Sequence, residues 1–146
     1  MSQEIIDKAA EIIAQHSVMG REYNDNLYCA ITLMDTDGYP TSSVITPVMA
    51  DGIKWITFGT GLGSSKVKRI HATGSVANVS FSGGDFSISL SGDVEIITDP
   101  AVKKEMWYSG LENHFTAADD PGYCVLKFTT KRYNLFVDWQ YVEGVI

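Results

Sequence analysis

Residues 27–60 read LYCAITLMDTDGYPTSSVITPVMADGIKWITFGT, and this stretch decides the fold. Leu27, Cys29, Ile31 and Leu33 alternate with Tyr28, Ala30, Thr32 and Met34, a period of two that predicts a strand with both faces fairly apolar. Asp35-Thr36-Asp37-Gly38 follows as a turn, and Asp-Gly is among the strongest short hairpin signals because glycine accepts the positive φ such turns require. A second strand is predicted from Tyr39 to Met49. Pro40 stands at its start and Pro47 near its end, and proline, lacking an N–H, places both ends at an edge or a bulge. Asp51-Gly52 turns the chain again into a third strand, Ile53 to Thr60. The stretch is therefore a three-stranded antiparallel meander.

The flanking sequence extends this pattern. Residues 3–16 carry Ile5, Ile6, Ala9, Ile12 and Ile13 at helical spacing between Glu4, Asp7, Lys8, Glu11 and Gln15, so the chain opens on an amphipathic helix that Gly20 follows. After the meander, Lys66 to Ala72 reads as a short helix with Val67 and Ile70 on its apolar face. Val76 to Phe81 and a long Phe86 to Thr98 then read as strands, with a bulge or bend expected at Gly92. Asp99 as N-cap and Pro100 at the first helical position start a third helix, expected to run to about Tyr108. Residues 110–122 read as a loop, Tyr123 to Thr129 as a strand and Arg132 to Trp139 as a further short strand. Tight hairpins and few long connections indicate a mainly β, α+β chain. It is expected to form a six-stranded antiparallel barrel with an N-terminal helix and two short connecting helices, as one domain over residues 1–146.

The 146 residues are 45% apolar, enough for a core without a structural metal or disulfide. Cys29 and Cys124 lie far apart in apolar runs and read as free buried thiols of a reducing compartment. No apolar leader or membrane-length run is present, which points to a cytoplasmic protein away from membranes. A net charge of −7 argues against nucleic acid, whose phosphates select basic faces. Lys66, Lys68, Arg69 and His71 depart from that trend and suggest a small anion. His16, His71 and His114 have no metal-ligand spacing, and no Gly-x-Ser-x-Gly elbow supports a hydrolase.

The chemically informative segment is residues 57–69, a strand, a glycine-rich turn and then a helix whose first turn carries Ser64, Ser65 and Lys66. Exposed N–H groups and a partial positive charge at a helix N-terminus favour an anion, and hydroxyls with an ammonium strengthen a phosphate site. The segment is not a P-loop, and a plain serine cap beside a solvated lysine is the competing reading.

Six stretches together carry a family resemblance: Asp-Gly-Tyr-Pro-Thr-Ser-Ser-Val at 37–44, Trp-Ile-Thr-Phe-Gly-Thr at 55–60, Gly-Ser-Ser-Lys at 63–66, Ser-Gly-Asp-Val-Glu-Ile-Ile at 91–97, Met-Trp at 106–107 and Asp-Trp at 138–139. In this order and spacing, over residues 3–139, the chain resembles the pyridoxamine-phosphate-oxidase-like FMN-binding split β-barrel family, nearest to its general-stress-protein branch. The resemblance implies FMN contacts at Ser42, Ser43, Val44 and Ile45, and at Thr57, Phe58, Gly59 and Thr60, with the phosphate at Ser64, Ser65 and Lys66. It also implies a homodimer with the flavin site at the interface, where Trp107 or Trp139 could supply an aromatic wall. Arginines that accompany the phosphate lysine in the oxidase correspond here to Ser43 and Ser65. The C-terminal Arg-x-His-x-Arg-like signature is replaced by Val-Asp-Trp-Gln-Tyr-Val-Glu-Gly-Val-Ile, so vitamin B6 synthesis is not implied.

The expected function is that of an FMN-dependent oxidoreductase acting on a small molecule. A non-enzymatic flavin binder in a stress response is the alternative, as is the same barrel holding haem or a deazaflavin. Tyr28, Tyr39, His71 and His114 are the candidate proton donors.

Overall fold

The computed structural model describes residues 2–146. Its strands are β1 (Cys29–Met34), β2 (Pro40–Ile45), β3 (Pro47–Asp51), β4 (Trp55–Gly61), β5 (Val76–Ser82), β6 (Ser87–Ile97), β7 (Tyr123–Val137) and β8 (Gln140–Val145). Its helices are α1 (Ser2–Gln15), α2 (Ser65–Thr73) and α3 (Pro100–Glu105), with a 3-10 turn at Ser109–Asn113. The strands run antiparallel in the order β2-β1-β5-β6-β7-β4-β3, and β8 adds to the far half of β7. The sheet curls into a half-barrel, so the fold is an α+β split barrel.

The strand expected at 39–49 is two strands, β2 and β3, and they lie at opposite ends of this order. β2 pairs with β1 from Cys29↔Ile45 to Met34↔Pro40, whereas β3 pairs with β4 from Pro47↔Phe58 to Asp51↔Trp55. Thr46 is the corner between them. Pro47 has no N–H to continue a ladder, so the chain changes partner there. Residues 18 and 19 cover the other side of β3, with Val18 N–H donating to Pro47 O (2.9 Å) and Met19 N–H to Val48 O (2.7 Å).

The two strands expected at 123–129 and 132–139 are one, β7, bent where its register with β6 shifts between Ser91 and Gly92. A Cβ on Gly92 would lie 2.0 Å from Thr129 O, so the bend needs a glycine. β8 was not expected from the sequence. It follows a two-residue turn, Asp138-Trp139, held at φ 52° and 61° without the glycine or asparagine that usually marks one.

Ile31, Phe58, Val79, Leu90, Leu126 and Phe128 fill the barrel interior, and α1 adds Ile5, Ala9 and Ile13. Each buried isoleucine of α1 contributes about 1.5–3 kcal/mol by leaving water. A second, smaller core of Val48, Met106, Leu111, Tyr123 and Val125 lies on the outer face of β4 and β7, under α3 and the 3-10 turn. α3 stops at Glu105, short of the expected Tyr108, because Met106 and Leu111 must both reach this core. Asp99 caps it as expected, accepting from Ala101 N–H at 3.4 Å. Cys29 and Cys124 are free and buried, and burial raises both thiol pKa values, that of Cys124 to about 11. Neither thiol is poised as a nucleophile. No helix is long and apolar enough to cross a membrane, among the described residues.

Candidate functional site

Where β2 ends at the Thr46 corner, β4 runs on past the end of its ladder with β3. That register stops at Phe58, so no strand pairs the β3-side edge of Gly59, Thr60 and Gly61. β2 likewise pairs only with β1. Two backbone edges therefore splay apart at one corner of the barrel, and backbone groups at such edges need partners from solvent or a ligand. The opening is a cleft of about 450 Å³, within the size range of small-molecule sites. Val44, Ile45 and Thr46 form one side, Gly59, Thr60 and Gly61 another, and Lys66 stands at one end. Tyr23, Tyr108, Gly110, Leu111, Asn113, His114 and Phe115 close the far wall.

Glycine at 59 sets the width of this wall. A Cβ there would approach Leu111 Cδ2 to 3.0 Å and Tyr123 Cε1 to 3.3 Å, so the 3-10 turn packs directly on the β4 backbone. Gly110 lets Tyr108 and Tyr23 close in similarly, with Cβ contacts of 2.6 and 3.1 Å to their rings. Those two rings lie 6.1 Å apart at 36°. Burial raises the pKa of the Tyr108 phenol, against a smaller lowering by the Thr46 hydroxyl.

Lys66 is half-buried in the first turn of α2, and no carboxylate pairs with it among the described residues. Burial, and then the nearby Arg69 charge, lower its pKa. The ammonium is thus an under-solvated cation beside a helix N-terminus, where an anion would relieve both effects. Arg69 is itself committed elsewhere. Its Nε donates to Asp35 Oδ1 at 2.7 Å, and Asp35 also accepts from the Thr41 hydroxyl. No lining residue of the cleft is acidic, in a chain of net charge −7.

Of the positions expected from the sequence, Val44, Ile45, Gly59, Thr60 and Lys66 line the cleft. The rest stand outside its lining. Ser42 shares a 2.6 Å hydrogen bond with Thr32 on the exposed sheet face, and Ser43 sits opposite Ile31. Thr57 Oγ1 accepts from Met49 N–H (3.2 Å) and contacts Met106 Sδ, inside the second core. The Phe58 side chain is wholly in the barrel interior. Ser64 caps α2, accepting from Val67 N–H at 3.3 Å, and Ser65 accepts from Arg69 Nη1 at 3.5 Å. Trp107 packs edge-on against Tyr123, 5.4 Å away. Trp139 is 80% exposed at the β7–β8 turn, its edge on Phe136.

Sequence reasoning missed Tyr23, Thr46, Tyr108, Gly110, Leu111, Asn113 and Phe115. His114, a candidate from the sequence, lies on that wall. No group of three or more His, Cys, Asp or Glu side chains capable of holding a metal occurs among the described residues.

Among solved structures, a protein related to general stress protein 26 from Clostridium acetobutylicum superposes with a TM-score of 0.79 at 21% identity, covering 100% of this chain and 96% of that one. An FMN-binding, pyridoxamine 5'-phosphate oxidase-related protein from Nostoc punctiforme gives 0.59 at 12% identity, over 82% and 87% of the two chains. A heme-binding protein from Mycobacterium smegmatis gives 0.70 at 13%, over 97% of this chain and 57% of that one. At these identities the likeness is one of fold. No curated protein matches the sequence. The sequence profile of Pyridoxamine 5'-phosphate oxidase, however, matches residues 17–136, and the chain, whose barrel fold agrees with that match, belongs to this family.

Proposed function

We propose that the chain is an FMN-binding protein that carries the cofactor in the corner cleft and acts as an oxidoreductase on a small molecule. The observation that carries this reading is the cleft's charge. In an acidic chain it has no acidic lining residue, and it ends at a half-buried, carboxylate-free Lys66 on the first turn of α2. The residues fit a flavin mononucleotide in three respects. The Lys66 ammonium and the first N–H groups of α2 would hold the phosphate. Backbone groups of residues 44–46 and 59–61 would meet the polar rim of the ring system. Tyr23, Tyr108 and Phe115 would wall off its apolar surface. When bound, the flavin supplies hydride and electron transfer, and the protein's part is binding, orientation and exclusion of water. His114, Tyr23 and Tyr108 are among the lining groups able to hold or move a proton. The similar FMN-binding protein from Nostoc supports this choice of cofactor.

We place the function in a homodimer. Val44 is 69% exposed at the cleft mouth, and its sheet face continues through Ala30 and Ser80 on neighbouring strands. A second copy packed there would cover the open side of the cleft, and an exposed Trp139 held at positive φ suits a contact surface.

The test is a titration of ligand-free protein with FMN, following flavin fluorescence, together with sedimentation. Saturable quenching at one FMN per chain on a dimer is the expected result. A monomer that binds flavin fully would refute the shared site, and an absence of binding would refute the cofactor. A haem reading rests on His114, which lines the cleft, and on the fold likeness to the heme-binding protein from Mycobacterium. A Soret band on haem addition that is lost in His114→Ala would favour it.

A further inference from the structure

We propose that the Asp35–Arg69 ion pair sets how tightly the corner cleft holds a phosphate: Arg69 is a second cation on the Lys66 side of α2, and Asp35 cancels its charge. This inference rests on the phosphate reading of the cleft and deepens it. Arg69 follows Lys66 by three residues and Ser65 by four, and side chains at those spacings share one side of a helix. A guanidinium carries five N–H donors in a planar fork. Here Nε donates to Asp35 Oδ1 at 2.7 Å, while Nη1 reaches back toward Ser65 Oγ at 3.5 Å. A serine hydroxyl that accepts there keeps its own O–H to donate, and an anion at the start of α2 could receive it.

The Arg69 charge also reaches Lys66, where it adds to burial in lowering the lysine pKa. Lys66 and Arg69 thus crowd one side of α2, and Asp35 is the only carboxylate paired with either among the described residues. Asp35 is itself held in place. Its backbone N–H donates to Tyr39 O at 2.9 Å across the β1–β2 turn, and its second oxygen accepts from the Thr41 hydroxyl. Thr73 Oγ1 donates to Met34 O at 2.9 Å and ties the other end of α2 to the same hairpin. The Arg69 and Asp35 side chains are 19% and 32% exposed, so solvent and salt screen them less than an open surface pair. The pair therefore gives α2 an oriented donor fork with no net charge. Lys66 is left as the uncompensated cation, and the carboxylate of Asp35 acts as a brake on the affinity for anions.

The test titrates the full chain and its variants with FMN and with riboflavin, at low and at physiological salt. Asp35→Asn keeps an oxygen for Arg69 Nε and removes only the negative charge. Its Kd for FMN should fall by about three- to tenfold at low salt, and by less at physiological salt, although the ion pair is lost. Arg69→Gln should raise the Kd for FMN by a similar factor, and Arg69→Lys, which restores the charge without the fork, should recover part of the loss. The double variant Asp35→Asn with Arg69→Gln again has no net charge there, and its Kd should return to within about twofold of the parent's. Riboflavin, which lacks the phosphate, should stay within about twofold throughout. A purely structural role for the pair would instead weaken both flavins in every variant and make the losses accumulate in the double one. The two arginine variants carry the test even if Asp35→Asn does not fold. A parent that binds FMN no more tightly than riboflavin would overturn the phosphate reading and this proposal with it. A parent that prefers FMN, with variants that leave this preference unchanged, would overturn this proposal alone.

Discussion

Replacing Lys66 with methionine isolates the phosphate contact. The thioether keeps the half-buried stem and removes only the charge, so packing around Val67 should survive. A hydrogen bond to a charged group is worth roughly 1.5–3 kcal/mol, which corresponds to a rise of about 10- to 150-fold in the Kd for FMN. Riboflavin has the same ring and no phosphate, and its Kd should stay within about twofold. The structure adds a second, opposite effect. Burial and the Arg69 charge lower the pKa of Lys66, so its charged form is disfavoured in the folded chain. Without ligand, Lys66→Met should therefore be at least as stable as the parent at pH 7. Fluorescence titrations with both flavins, and urea denaturation of the ligand-free proteins, measure the two effects. The parent's FMN affinity should also fall between low and physiological salt, while its riboflavin affinity should not. Equal weakening of both flavins, or a large loss of stability without ligand, would show that Lys66 serves packing and holds no phosphate.

Gly59→Ala places a methyl 3.0 Å from Leu111, so the cleft wall must move outward; the expected cost is about 1–3 kcal/mol, with a several-fold weaker flavin Kd, and an unchanged denaturation midpoint would contradict the close packing. Phe58→Leu should lower stability by roughly 1 kcal/mol or more while flavin affinity stays within about twofold, because this side chain faces the interior; an affinity loss on folded protein would place the ring at the ligand. The pKa of Asp35 is lowered first by the Thr41 hydrogen bond and then by Arg69. Its contribution to stability is thus present above the ordinary value of 3.8 and is lost as pH falls through the lower folded value. Asp35→Asn should accordingly be less stable than the parent at pH 6, with the gap closing below about pH 3.8, and a gap that holds constant down to pH 2.5 would exclude Asp35 as its source.

Much of the barrel was legible because its signals are local. Period-two alternation located β1 and β4, Asp-Gly pairs located their turns, and Gly92 announced the bulge. The break at Thr46 was harder to see. β2 and β3 have the same alternation as one long strand, and only their partners differ, which depends on distant β1 and β4. Pro47 was the one local hint. β8 escaped because Asp138-Trp139 makes a tight turn with residues that rarely adopt positive φ; Lys8 on α1 pairs with Asp138 and helps hold it there. At the site, the segment leading into α2 identified Lys66 through helix-terminus physics. The far wall had no such signal. Tyr23, Tyr108 and Phe115 lie in irregular chain, and they come together with the 3-10 turn because Gly59 and Gly110 allow close packing.

The corner at Thr46 also makes the two halves of the barrel depend on whatever fills the gap between them. The half-barrel is joined there by a single covalent link in place of a ladder of hydrogen bonds, and the outward edges of residues 44–45 and 59–61, away from β1 and β7, have no strand partner. A bound ligand would act as the missing rung. Amide hydrogen exchange around residues 44–46 and 59–61 should then be fast in the empty protein and slow once the cleft is filled, while exchange at β6 and the middle of β7 stays unchanged. The seam would thus be the least cooperative part of the fold in isolation, and the part that reports most directly on occupancy.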